Sequence, residues 1–222
     1  MTPPDHRAKR ERPARVDYDQ ALKRLLTRAH DGLLQLVAPD LTWVGEHSPE
    51  LPAVRRQADI VWEVARPSGQ RGLLHIELQN AVDDTIGERL ADYAMRLWVR
   101  EHLPVRSVVI FLREASRVPS SPFVIGWDKL QMLRYDFNVV RLWEVPQERI
   151  LNTEHYALWP LASLMAGATP ETILDVAERI AAAPAPLEER SELTGLLAML
   201  ATRRLPYVVV QEVLRRNRML LD

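Results

Sequence analysis

Cysteine is missing from all 222 residues, and lysine very nearly so. Without thiols the chain can form neither a disulfide nor a thiolate metal site, so any bound metal has to be held by oxygen or imidazole ligands. Among the 29 basic residues only Lys9, Lys23 and Lys129 are lysines, an arginine bias that GC-rich coding explains without any appeal to phosphate binding. Net charge is scarce too: a formal value of −1 argues against a surface built as a whole to grip nucleic acid, while leaving room for a local basic patch. No apolar run approaches the length that spans a bilayer, and the opening MTPPDHRAKRERPAR lacks the apolar segment of a signal peptide. A cytoplasmic protein with no membrane contact is therefore expected. The sequence also lacks a glycine-rich phosphate loop and any internal repeat. What it does have, 47% hydrophobic and 27% charged residues, is the composition of a folded domain and not of a disordered chain.

Residues 1–15 are polar, basic and proline-containing, and are expected to form a disordered tail. From residue 17 to 38 the apolar positions Leu22, Leu25, Leu26, Ala29, Leu33, Leu36 and Val37 recur at helical spacing, and Pro39 closes the pattern. LTWVGEH (41–47) reads as a weak strand, QADIVWEV (57–64) as a better one, and LLHIELQN (73–80) as a third. In this third strand His75, Glu77 and Gln79 share one face while Leu74, Ile76 and Leu78 share the other. The loop between the last two strands fixes their register. Pro67-Ser68-Gly69 suits a type I turn followed by a left-handed glycine, an odd-length connection that sets Arg66 opposite Gln70 and Asp59 opposite Glu77. Opposed residues of an antiparallel pair have Cα atoms roughly 4.5–5.5 Å apart, close enough for two carboxylates to hold one divalent cation and too close for both to ionise comfortably without one.

TIGERLADYAMRLWVREHL (85–103) reads as a helix with Ile86, Leu90, Tyr93, Ala94 and Leu97 buried, and with Arg89, Asp92, Arg96 and Arg100 on an opposing polar face. The apolar run VRSVVIFL (105–112) then completes a β–α–β crossover, and 132–145 supplies one strand more, or two. Beyond residue 165 three helical patterns follow, separated by prolines at 184, 186 and 206. The first is capped by Thr169, with Pro170 in its first turn.

The ordered set of DYDQALKRLL, RRQADIVWEV, LLHIELQ, GERLADYAMRL, LPVRSVVIFL and LRYDFNVVRLWEV, spanning about residues 17–165, resembles the Rpn family of recombination-promoting nucleases, also described as transposases, with YhgA-like relatives, within the PD-(D/E)XK nucleases. The resemblance implies an α/β restriction-endonuclease-like core over 16–165, a mixed sheet flanked by helices, with a helical C-terminal extension over 166–222. It implies a metal-dependent endonuclease that cuts DNA with little sequence preference, linked to recombination or mobile elements, with Mg²⁺ or Mn²⁺ as cofactor.

Carried over residue by residue, Asp59 and Glu77 would hold the metal. Gln79 stands where the superfamily usually has lysine, so it could orient a water but brings no positive charge to the phosphate. Arg56 matches the arginine before the metal aspartate, and Asp19 and Lys23 match acidic and basic positions of the first helix. His75 and Tyr93 are further auxiliary candidates, and Arg89, Arg96 and Arg100 are candidates for phosphate contact.

Each assignment has a duller counterpart. Asp59 and Glu77 could simply pair with Arg55, Arg56 or Arg71, and Glu63 reads as a solvated rim residue. His75 more commonly would be a hydrogen-bonded histidine, Asp19 a helix cap, and the α-helical arginines a solvated face with an Asp92–Arg96 pair. At the level of function the alternatives are a catalytically silent nuclease-fold module that binds DNA or protein, and a structural homo-oligomer joined through the C-terminal helices.

Overall fold

The computed structural model describes residues 18–46 and 60–204, together with 206–208, 210–212 and 215; Arg56 and Asp59 lie outside the described residues, as does the side chain of Asp19. The chain is α/β. Its main sheet is built from β1 (Thr42–Glu46), β2 (Ile60–Ala65), β3 (Arg71–Gln79) and β4 (Val105–Phe111), and a small separate sheet from β5 (Phe123–Trp127) and β6 (Leu130–Tyr135). A last strand, β7 (Asn138–Arg141), returns to the main sheet, whose order is β1-β2-β3-β4-β7. β1 pairs antiparallel with β2 and β2 antiparallel with β3, whereas β4 is parallel to both β3 and β7, so the sheet is mixed and β3 is its central strand.

The β2–β3 hairpin has the register an odd loop imposes. Arg66 N–H donates to Gln70 O at 2.9 Å and Gly69 N–H to Arg66 O at 2.8 Å, with Gly69 at φ +84°, a backbone angle that glycine adopts without strain. Ile60 consequently stands opposite Ile76, and Ala65 opposite Arg71. The strand's alternation then sorts its side chains. Ile60, Trp62, Val64, Leu74, Ile76 and Leu78, with Val108 and Ile110 of β4, enter the larger core. Val61 and Leu73 face the other way, as His75 and Glu77 must on the same parity.

That second face is covered by α3 (Ile86–Glu101), whose Ile86, Leu90, Tyr93, Ala94 and Leu97 are buried as the helical spacing predicts. Ile86 and Leu90 pack with Val109 and Phe111. The larger core is closed by the amino-terminal helices and by the carboxy-terminal half of the chain. The expected single helix over 17–38 is two, α1 (Tyr18–Arg28) and α2 (His30–Val37), broken at Ala29, whose N–H is shared between the carbonyls of Leu25 and Leu26. The break lets His30 stack on Trp43 of β1, ring centroids 4.1 Å apart.

After β7 come α4 (Glu148–Leu151), a 3₁₀ segment over Tyr156–Leu164, α5 (Pro170–Ala181) and α6 (Leu187–Ala201). α5 begins as its sequence predicts: the Thr169 and Thr172 side chains each accept from the other's backbone N–H, with Pro170 in the first turn. Leu193, Leu196, Leu197 and Leu200 of α6 join Leu22, Leu26, Trp62 and Ile76 in one continuous core. The third helical pattern of the sequence falls largely outside the described residues. Among the described residues no helix is long and apolar enough to cross a membrane.

Candidate functional site

The alternation of β3 brings its polar residues under α3, and burial there makes each of them find a partner. Glu77 lies two residues from the end of the strand and is only 7% exposed. Its Oε1 accepts from Arg89 Nη2 at 2.6 Å and from the Gln79 side-chain amide at 3.3 Å. Arg89 reaches across from the first turns of α3, and its other terminal nitrogen donates to Asp83 Oδ2 at 2.7 Å. Asp83 in turn holds the start of the helix, its Oδ1 accepting from the backbone N–H of Thr85 at 2.9 Å and from the Thr85 hydroxyl at 2.7 Å. One guanidinium thus bridges two carboxylates, and the cluster of three keeps a net negative charge.

Arg89 is a correction to the expected solvated face of α3. It follows Ile86 by three residues and precedes Tyr93 by four, which puts it at the margin of the buried stripe, and its side chain is 21% exposed. Arg96 does pair with Asp92 as expected, at 2.8 Å, and Arg100 is exposed and bonded to its neighbour Glu101. Glu63 is likewise no solvated rim residue: it ion-pairs with Arg71 across the hairpin, and its side chain is mostly buried.

His75 is fully buried. Its Nδ1 lies 3.2 Å from the hydroxyl of Ser107 on β4, the residue paired beside it in the parallel ladder. Ser107 Oγ also accepts from the Tyr135 hydroxyl at 2.7 Å. Tyr135 is the last residue of β6; burial pushes its phenol above the ordinary value of 10.0, against a smaller opposite effect of the bond to Ser107, so at neutral pH it is a neutral donor. Tyr93 sets its ring edgewise on His75 with centroids 5.4 Å apart. On the far side of the imidazole, Nε2 is 3.6 Å from Glu77 Oε2, beyond hydrogen-bond length, and neither atom has another partner among the described residues.

The structure therefore gathers Glu77, Gln79, His75, Tyr93 and Arg89 between the second half of β3 and the first half of α3. Arg96 and Arg100, further along the helix, take no part in this cluster. Lys23 is half-buried on α1, in the layer on the opposite side of the sheet. Asp83, Ser107 and Tyr135 are additions. Asp83 could have been read from the run Asp83-Asp84-Thr85 before an apolar helical pattern, a helix-start signature. Ser107 and Tyr135 carry no such local mark.

Among the described residues no three histidines or acids are grouped so as to hold a metal ion. Glu77 Oε2, buried and without a hydrogen-bond partner among them, is an atom suited to a hard cation, and it would need a second carboxylate. No family model, curated protein or solved structure matches the chain.

Proposed function

We propose that the chain is a metal-dependent DNA endonuclease with a PD-(D/E)XK-like core, hydrolysing phosphodiester bonds with little sequence preference. The observation that carries this reading is Glu77: an acid buried at the carboxyl end of a central strand, beside the start of a helix, with one oxygen left unpartnered. In open α/β sheets that end of the strands is where ligands bind. Glu77 would hold Mg²⁺ or Mn²⁺ together with Asp59, the acid that immediately precedes β2 in the sequence. When bound, the ion would supply a polarised phosphodiester oxygen and a water of lowered pKa.

The chain's own residues have separable tasks. Gln79 donates its amide N–H to Glu77, which leaves its carbonyl oxygen to accept from a water and orient it. The positive charge that Gln79 cannot provide comes from Arg89, already within 2.6 Å of Glu77, and Arg56 would add to it at the phosphate. α3 and the sheet exclude bulk water from the inner side of the site, which strengthens each of these interactions.

The same Arg89 contact favours a second reading, in which the guanidinium neutralises Glu77 permanently and the fold binds DNA or protein without cutting it. Purified protein incubated with supercoiled plasmid in Mg²⁺, Mn²⁺ or chelator separates the two. The endonuclease reading expects nicking that needs the cation and disappears in Asp59→Ala and Glu77→Gln. An Asp59→Ala protein as active as the parent disposes of the metal assignment, whereas a parent that neither nicks nor shows heat on titration with Mn²⁺ leaves the silent module.

A further inference from the structure

Three hydroxyl and imidazole groups stand behind Glu77, and the nuclease reading as set out above uses none of them. Ser107 is fully buried, and its hydroxyl has two neighbours, the Tyr135 O–H and His75 Nδ1. A serine hydroxyl carries one proton. Its oxygen already accepts from Tyr135, so among the described residues the proton has one further acceptor within reach, His75 Nδ1. Were Nδ1 protonated, Ser107 would either bury its own hydrogen unpaired or turn it back on the Tyr135 oxygen, which would leave the largely buried phenol proton without an acceptor among the described residues. The hydrogen-bond direction is therefore set from one end to the other: Tyr135 to Ser107, Ser107 to Nδ1. A neutral ring that accepts at Nδ1 carries its proton on Nε2, and Nε2 is the atom that faces Glu77 Oε2 across 3.6 Å.

We infer that His75 is a positioning residue for Glu77: the Tyr135–Ser107 chain locks the imidazole as its Nε2–H tautomer and aims that N–H at the carboxylate oxygen that Arg89 leaves free. The ring so protonated has no lone pair on its Glu77 side, so His75 is not itself a metal ligand. Oε1 of Glu77 is taken by Arg89 and Gln79, while Oε2 faces the His75 N–H along one lone-pair direction and keeps the other for a cation. The gap of 3.6 Å is one that closes when the carboxylate is drawn toward a ligand, as such contacts tighten on loading. The inference rests on the nuclease reading for the task that Glu77 performs, and not for the place of the proton.

The test is made on the full chain. Long-range ¹H–¹⁵N correlation spectra of the ¹⁵N-labelled protein at neutral pH, with His75 identified by its loss in His75→Asn, should show a pyridine-type Nδ1 and a pyrrole-type Nε2. Tyr135→Phe, which removes one hydroxyl two groups away from the ring, should release the serine proton and give a mixture of tautomers; a purely structural tyrosine would leave the spectrum unchanged. Ser107→Ala should lose the single tautomer as well, and should weaken calorimetric Mn²⁺ binding roughly 10–100-fold, the usual effect of removing a group that orients a ligand. A parent ring protonated on Nδ1, an imidazolium, or Ser107→Ala with Mn²⁺ affinity equal to the parent's would overturn the inference. A parent that binds no Mn²⁺ would remove the nuclease reading instead, and the spectra alone would then decide the tautomer.

Discussion

Arg89 is the side chain whose removal should reveal most about the cluster. Taking it away leaves Glu77 buried without a charge partner, a change that costs roughly 3–5 kcal/mol for buried pairs. Because Arg89 is partly exposed, we expect Arg89→Ala near the lower end, about 3 kcal/mol, read as a drop in urea midpoint. Arg89→Lys keeps the charge but cannot bridge Glu77 and Asp83 with a planar fork, so its loss should fall between parent and alanine. Tyr135 gives a second residue-scale expectation. Its folded pKa is raised, so its contribution to stability is complete below 10.0 and is lost as pH rises through the higher folded value. Tyr135→Phe should therefore show a shallower alkaline decline in chemical-denaturation stability than the parent. An equal decline in both proteins would assign the alkaline loss to other groups.

Legibility at this scale follows how local the cause is. Glu77 and Gln79 stand out because a period of two puts polar residues inside an otherwise apolar word. Arg89 departs from the solvated face that the spacing predicts because a helical stripe has edges, and an arginine at the edge is long enough to turn inward. The partnership of His75 with Ser107 and Tyr135 joins β3, β4 and β6, and no pattern within one segment records it.

Among the elements, α2 shows how a residue that weakens a helix can be required by its neighbours. A Cβ on Gly32 would sit 2.7 Å from His155 atoms and 2.8 Å from Leu158. Gly→Ala in a helix interior ordinarily gains up to about 1 kcal/mol, but here the overpacking, about 1–3 kcal/mol, should win. Gly32→Ala is thus expected to lower the thermal midpoint while leaving the helical circular dichroism of the folded state in place. The helices and inner strands were readable because one face of each is buried. β5 was not, because all of its residues but the first are exposed and its pattern lacks the alternation of a half-buried strand. The segment 132–145, expected to give one strand or two, carries parts of two, and Asp136 and Phe137 divide them between two sheets, which no pattern within the segment announces. The single long helix failed at Ala29, where the apolar spacing continues unbroken and only the packing of His30 on Trp43 marks the turn.

At the scale of the whole molecule, the layered α/β architecture was legible from the order of elements and from the parallel crossover through α3. Which helices cover which side of the sheet was not, since apolar stripes say that a face is buried and not against what. The carboxy-terminal helices share their core with the sheet, and this gives a global expectation. Leu197 is fully buried in α6, so Leu197→Ala should cost about 2–5 kcal/mol and shift one cooperative transition, seen alike by tryptophan fluorescence and far-ultraviolet dichroism. Two separated transitions would mean that the helices fold as a unit of their own.

The middle position of β3 has a consequence for how function could be lost. β3 lies between β2 and β4, and β4 pairs beside Glu77, so the Glu77 N–H should exchange with heavy water only through complete unfolding, among the slowest of the described residues. Such a residue has no local opening to fail by. Damage anywhere that lowers overall stability would deplete competent molecules in proportion, and those still folded would each retain an intact centre.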